Sequence, residues 1–550
     1  MQYRLPCHAL SCLSLLAIAV IAGCSSTARM TTEAPTRAPA EVPSTDQAAG
    51  LDRVAVTGSR MQRAEMESSR QAAAARKAAA PASSPAPPPM AYEQAAGHAY
   101  LAAAPLLAHA EPANTENYQQ RVDNPVQRTS EQPVSTFSVD VDTGSYSNVR
   151  RMLREGVRPP ADSVRAEEFI NYFSYQHPAP ADRSSPFRVT TELAATPWNP
   201  QRQLLMIGIK GYDVPKATLP PANLVFLLDT SGSMDAPDKL PLLAALERLQ
   251  AGGSTNGGDG IRLAYAMARQ GFIKDGVNRV ILATDGDFNV GTVSQQALET
   301  MVGDQRKSGI ALTTLGFGQG NYNDALAERL ADVGDGNHAY IDTPQEARKV
   351  LVEEMQSTLL TIARDVKIQV EFNPALVSEY RLIGYENRVL QREDFANDKV
   401  DAGDIGAGHE VTALYEITPA GSAGGRLPAL RYGDATPAQP KNQGEVAHLR
   451  LRYKLPGADN SRLIEAPILA ASSTARPSQA FRFASAVAAY ADLLRGGRNI
   501  DQWGWSEVAA AARNARGADV FGLRDEFVAL VEEARRLVSP DGQAPVATSD

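Results

Sequence analysis

Two acidic stretches stand at the ends of apolar runs. Leu224-Val225-Phe226-Leu227-Leu228 leads directly into Asp229-Thr230-Ser231-Gly232-Ser233, and Arg279-Val280-Ile281-Leu282-Ala283-Thr284 leads into Asp285-Gly286. Unbroken apolar runs of this length read as strands buried on both faces. Open α/β sheets bind ligands outside the carboxyl ends of such strands, so Asp229 and Asp285 lie where a site belongs. Several chemistries fail on inspection. The stretch Asp285-Gly286-Asp287-Phe288-Asn289 starts like an EF-hand loop, but Val290 stands where the turn needs Gly and Gln296 where the bidentate Glu belongs. A strand-end Asp can be a phosphotransfer nucleophile, but its usual second acid two residues later is here Ser231. The glycine-rich loop at residues 252–258 lacks the Lys of a phosphate-binding P-loop. The seven histidines are scattered and form no Ser-His-Asp set. His448 shares a strand face with Arg450 and Arg452, the pattern of a solvated face, and His338 beside Tyr340 reads as structural.

The elements that must carry these residues follow from periodicity. Residues 311–317 and 339–341 are a third and a fourth apolar strand, and helical stretches separate the later strands. This predicts a doubly wound, mostly parallel α/β sheet. Around it the pattern changes. Strands are expected at residues 187–193 and 203–209 before the centre. After it, Val366, Ile368, Val370 and Phe372 alternate, as do Val411, Ala413, Tyr415 and Ile417, and then Ala447, Leu449, Leu451 and Tyr453. Period two with one polar face predicts an antiparallel sandwich-like region, with the central module inserted into it. Helices are expected around Val149-Met152-Leu153, capped by Ser145 or Ser147, and from about Asp162 through Phe173. The C-terminal region turns helical, with Phe483, Val487, Tyr490 and Leu494 on one face and Phe527, Leu530, Val531, Ala534 and Leu537 on another.

Composition bounds the rest. The chain has 550 residues and a net charge of −9, with 43% hydrophobic and 21% charged residues. An acidic balance argues against nucleic-acid binding, which needs a basic face. Only Cys7, Cys12 and Cys24 occur, all near the start, so the body has no disulfide framework, cysteine zinc site or cysteine nucleophile. Residues 10–21 form an apolar run too short for a comfortable span, and Ile21-Ala22-Gly23-Cys24 resembles a bacterial lipobox. The resemblance implies cleavage before Cys24 and lipid on its sulfur. Ser25 after the cysteine implies the outer membrane, with the protein facing the periplasm and membrane contact through the lipid anchor only. The expected organisation is a signal peptide at 1–23 and a disordered Ala/Pro-rich tether at 24–125. A helical and β flanking region at 126–220 leads into the central module at 221–362. A β-rich region at 363–457, a helical region at 458–540 and a disordered tail at 541–550 complete the chain.

Asp-x-Ser-x-Ser, a glycine-rich loop carrying Thr255 and a later strand-end Asp285 together resemble the von Willebrand factor type A domain. The segments FSVDVDTGSYSNVRRML, EEFINYF, RLRYKLP, SRLIEAP, FRFASAVAAYADLLRG and GLRDEFVAL are similar to the flanking regions of bacterial YfbK-like lipoproteins. The likeness covers roughly residues 120–540. It implies a metal-ion-dependent adhesion site with Asp229, Ser231, Ser233, Thr255 and Asp285 as ligands, holding Mg²⁺ or else Ca²⁺ or Mn²⁺. Mg²⁺ takes hard oxygen ligands in near-octahedral array. Mostly neutral hydroxyl ligands leave the ion electrophilic, so its open position favours a carboxylate from a protein partner.

One departure from the family pattern matters. Thr255 follows Asp229 by only 26 residues, where the family places a helix, two strands and another helix. The type A sheet is therefore expected to lack two edge strands, leaving the Asp229 strand as an edge. A helix over residues 239–250 spans roughly 18 Å, and the five residues from Gln250 to Thr255 reach at most about 17–18 Å. Thr255 is accordingly expected to be the weakest ligand, with reduced metal affinity; full-strength Mg²⁺ binding that depends on Thr255 would defeat this. The function expected is a non-enzymatic, envelope-anchored adhesion or scaffold protein. The alternatives are a structural envelope lipoprotein with a vestigial metal site and an envelope hydrolase.

Overall fold

The computed structural model describes residues 115–215, 218–229, 257–286, 294–428 and 444–538. The expected signal peptide, the lipidation site Cys24, the ligands Ser231, Ser233 and Thr255, the shortened stretch 230–256 and the tail 541–550 lie outside the described residues.

Alternating apolar positions build a two-sheet frame. The first sheet runs in the order Gln127–Arg128, Val377–Ile383, Glu410–Pro419, Asn199–Gly211, Phe187–Thr196 and Ser473–Thr474, antiparallel except for its last pair. In the second, Thr361–Phe372 is flanked by Glu445–Lys454 and by Val134–Ser138, with Ile405–Gly406 and Arg462–Leu469 completing it. The inward side chains of both sheets, among them Phe137, Leu205, Val366, Ile368, Val370, Phe372 and Tyr415, share one core. Each such large apolar side chain contributes about 1.5–3 kcal/mol on full burial. Strands Phe187–Thr196 and Asn199–Gly211 precede the central module while their partner Glu410–Pro419 follows it, so the module is an insertion into the frame.

The inserted module is a parallel sheet in the order Ala222–Leu228, Val277–Thr284, Ala311–Gly316 and His338–Tyr340. Among the described strands, Ala222–Leu228 stands at the edge, and Phe226 on it is 44% exposed. Helices Gly257–Gln270, Gln295–Lys307 and Asp324–Val333 cover one face through Ile261, Tyr265, Leu298, Val302 and Leu330. On the other face Ile281, Ala283, Leu315 and Ile341 pack with Val350. Mixed α/β architecture with a parallel module, a β frame and C-terminal helices is thus the fold.

A third core joins the helices Gly144–Arg154, Ala166–Asn171, Gln479–Leu494, Trp505–Ala515 and Leu523–Val538 through Tyr146, Phe169, Phe173, Phe483, Tyr490 and Phe527. Ser478 caps helix Gln479–Leu494, accepting from Phe481 N at 3.0 Å. Several local expectations need correction. Thr143, not Ser145 or Ser147, precedes the first helix, and both serines are buried within it. Ser145 is spent on a tertiary contact, donating to Ser163 O at 2.6 Å. The second helical stretch is a short 3-10 turn, Ala161–Ser163, followed by Ala166–Asn171. Residues 115–125, whose composition reads as tether, lie against the body. Arg121 reaches Glu328 at 3.0 Å and Asn124 donates to Gly384 O at 2.7 Å.

Buried charge pairs fasten the insertion to its surroundings. Arg165, 1% exposed, pairs with Asp324 and, at 3.2 Å, with Glu328 on the inserted helix. Arg388 pairs with Asp140 at 3.1 Å and Asp332 at 2.7 Å. Arg150 holds Glu346 at 2.7 Å and Glu526 at 2.9 Å. An arginine buried this deeply needs several acceptors, because one partner cannot offset its desolvation.

Candidate functional site

Strand Ala222–Leu228 pairs in parallel register with Val277–Thr284, Leu228 opposite Ala283. The next residue along each chain, Asp229 and Thr284, therefore reach the same sheet end. Asp229 N donates to Ala283 O at 2.9 Å, which extends the ladder by one bond and fixes the start of the acidic loop. The Thr284 hydroxyl donates to Asp229 Oδ2 at 3.2 Å and accepts from Gly286 N at 2.9 Å. One threonine thus ties the first carboxylate to the backbone that carries the second.

Asp285 is wholly buried. Asn321 Nδ2 donates to its Oδ2 at 3.1 Å, and Asn323 N donates to its carbonyl at 2.9 Å. Asn323 also caps helix Asp324–Val333, its side chain accepting from Leu326 N at 3.3 Å. One glycine permits this approach and a second packs beside it. Gly286 adopts φ +75°, and a Cβ there would stand 2.7 Å from Asn323 O. A Cβ on Gly318, also at positive φ, would touch Asp285 Cβ at 3.5 Å.

Of the five residues expected to hold a metal, Asp229 and Asp285 are described, and the structure brings them to neighbouring strand ends. The other three lie outside the described residues. Two carboxylates are hard oxygen donors of the kind Mg²⁺ accepts, so the described part of the set fits such an ion. Among the described residues no group of three His, Cys, Asp or Glu converges to hold one; the expected set has two acids and three hydroxyls. His338 has the structural setting expected of it, buried between the Thr314 hydroxyl and the Tyr322 hydroxyl, each at 2.9 Å. Reading the sequence missed Thr284, Asn321 and Asn323. The available signal was that the third parallel strand must end beside the second, which puts the polar stretch Gln319 to Asn323 at the same rim.

A parallel module with paired strand-end aspartates, set into a β frame, is the architecture of a protein carrying a von Willebrand factor type A domain. Comparison with known proteins narrows this. A family model described as "Uncharacterized protein YfbK, C-terminal" matches residues 357–537, and one described as "von Willebrand factor" matches residues 112–206. These segments lie on either side of the parallel sheet. The YfbK protein of Escherichia coli strain K12 is 45% identical over 475 residues, covering 78% of this chain and 82% of the relative. The chain belongs to the YfbK family. Solved structures found similar include BatB from Bacteroides thetaiotaomicron, at 17% identity over 24% of this chain and 96% of the other, with a TM-score of 0.19. The pilus adhesin SpaC from Lactobacillus rhamnosus GG matches at 11% identity over 52% of this chain and 48% of the other, with a TM-score of 0.21. Both superpositions are too loose to bear on how this chain works.

Proposed function

We propose that the chain is a non-enzymatic adhesion or scaffold protein that captures a protein partner through a divalent ion at the Asp229–Asp285 rim. The observation that carries this reading is the pairing of two strand-end aspartates through Thr284, with Asn321 closing over the second. Asp229 and Asp285 would hold the ion, Mg²⁺ or else Ca²⁺ or Mn²⁺, together with the hydroxyls of Ser231, Ser233 and Thr255. When bound, the ion offers an electrophilic open position that a carboxylate on the partner fills. Helix Gly257–Gln270 starts two residues after Thr255, and Gly260 in its first turn packs on Leu227, two residues before Asp229. Asn321 and Thr284 orient the two carboxylates, so neither has to be ordered on binding.

The type A class suggests a protein-interaction role, and the mature chain works in this reading at the bacterial envelope. Among the described residues no helix is long and apolar enough to cross a membrane. In this reading lipid on Cys24, in the lipobox-like Ile21-Ala22-Gly23-Cys24, anchors it to the outer membrane on its periplasmic side. Nucleic acid is not an expected partner of a chain with net charge −9. The test is a pull-down from envelope extract with the full chain, with and without Mg²⁺. The wild type should retain a partner in Mg²⁺ and lose it in EDTA, and Asp229→Ala should retain none. Equal capture in chelator would overturn the metal-bridged mechanism.

A further inference from the structure

The rim of the site has a second layer. The stretch Gly318 to Asn323 carries Asn321 to the Asp285 carboxylate, and a further set of its contacts runs to the chain just ahead of the frame. Thr115 N donates to Gly320 O at 2.7 Å, and Asn117 N donates to Tyr322 O at 2.9 Å. Asn117 and Asn323 form a parallel bridge, and Ala325 N donates to Asn117 O at 3.4 Å. Between these main-chain bonds, the Glu116 carboxylate accepts from Gly320 N at 2.9 Å.

Glu116 is itself fixed. Its side chain is 3% exposed, Arg151 donates to both of its oxygens at 2.9 and 3.1 Å, and the Tyr118 hydroxyl donates to Oε2 at 2.6 Å. Arg151 belongs to helix Gly144–Arg154, part of the helical core of the body. A continuous set of contacts therefore runs from that helix through Arg151, Glu116, Gly320 and Asn321 to Asp285. A charge-assisted bond from a buried, doubly anchored carboxylate is stiffer than a neutral contact, so this set resists movement of Asn321.

We propose that Glu116 is a positioning residue of the metal site: by holding Gly320 it sets Asn321, and Asn321 sets the Asp285 carboxylate. The inference rests on the reading of that site as a metal site. It also gives residues 115–118, which fall within the stretch expected as tether, a role at the rim. Linkage is reciprocal, so an ion bound at the rim tightens residues 115–118, and loosening them weakens the ion.

The experiment is Mg²⁺ titration by calorimetry on the full chain, paired with amide hydrogen exchange. Glu116→Ala should weaken Mg²⁺ by about fivefold or more. Glu116→Gln keeps an acceptor for Gly320 N and should recover most of that loss. Asn321→Ala should weaken Mg²⁺ similarly, and adding Glu116→Ala to it should cost nothing further, because both act through one path. In the wild type, Mg²⁺ should slow exchange at residues 115–118. Binding unchanged in Glu116→Ala, or fully additive losses in the double variant, would overturn the proposal. If the wild type binds no Mg²⁺, the metal-site reading fails separately, and exchange in the metal-free chain decides the relay. Glu116→Ala must then speed exchange at residues 284–286 and 320–323 without unfolding the chain, and unchanged rates there reject it.

Discussion

Acids other than Asp285 are also fully buried in this molecule, and burial shifts their titration. Asp285 accepts from Asn321 at the end of its strand. Glu167 and Glu168, on helix Ala166–Asn171, are fully buried, and Glu168 accepts from Ser145 N at 2.7 Å. Burial pushes the carboxyl of Glu167 up to about 7, with the neighbouring Glu386 adding to the shift and Arg121 opposing it. Burial likewise pushes Glu168 up to about 7, against the pull of Arg165. The sign of the consequence follows from proton counting. Between about pH 4.5 and 7 the folded chain keeps protons on these groups that the unfolded chain has released. Stability contributed in this way is complete below that window and is lost as pH rises through 7. Glu167→Gln removes one of the two titrations. Urea melts of the wild type should show a loss on the order of 2 kcal/mol per group between pH 5 and pH 8, and the variant should lose distinctly less. Parallel pH profiles for the two proteins would contradict the assignment.

At the scale of elements, the site depends on how closely three strand ends approach. Gly286 is a tight point, with positive φ and the Asn323 carbonyl where a side chain would start. Gly286→Ala should cost about 2–4 kcal/mol, from left-handed backbone plus the clash; a thermal melt measures it, and a melting temperature equal to wild type would refute the packing described. The strands themselves were legible from their apolar runs, because burial on both faces leaves no polar position to break the pattern. The sandwich strands were equally plain from alternation, as in Val366 to Phe372. The short helices were less so. Ser145 and Ser147 look like caps in sequence, but a serine bonded across 18 residues to Ser163 O is indistinguishable from a cap until the fold is known. The site was half legible for a similar reason. Asp229 and Asp285 announce themselves at strand ends, whereas Asn321 and Glu116 act through contacts separated by 36 and 204 residues, which no local spacing reveals.

For the whole molecule, the frame makes the inserted module part of one body. Arg165, Arg388 and Arg150 each bridge the module to the N-terminal helices, the frame or the last helix, and residues 115–124 run across the same junction. Removing one partner of such a buried pair is strongly destabilising, although an apolar substitute for the whole pair is often as stable. The arrangement holds the Asp229–Asp285 rim against the rest of the body, and among the described strands Ala222–Leu228 stands at the edge of its sheet. Everything proposed about function needs an ion at that rim. The most direct measurement is calorimetric titration of Mg²⁺ into the full-length wild type and into Asp285→Ala. The account predicts saturable binding at a single site in the wild type and affinity weaker by about tenfold or more in the variant. Absence of saturable heat in the wild type, or equal affinity in both proteins, would contradict it.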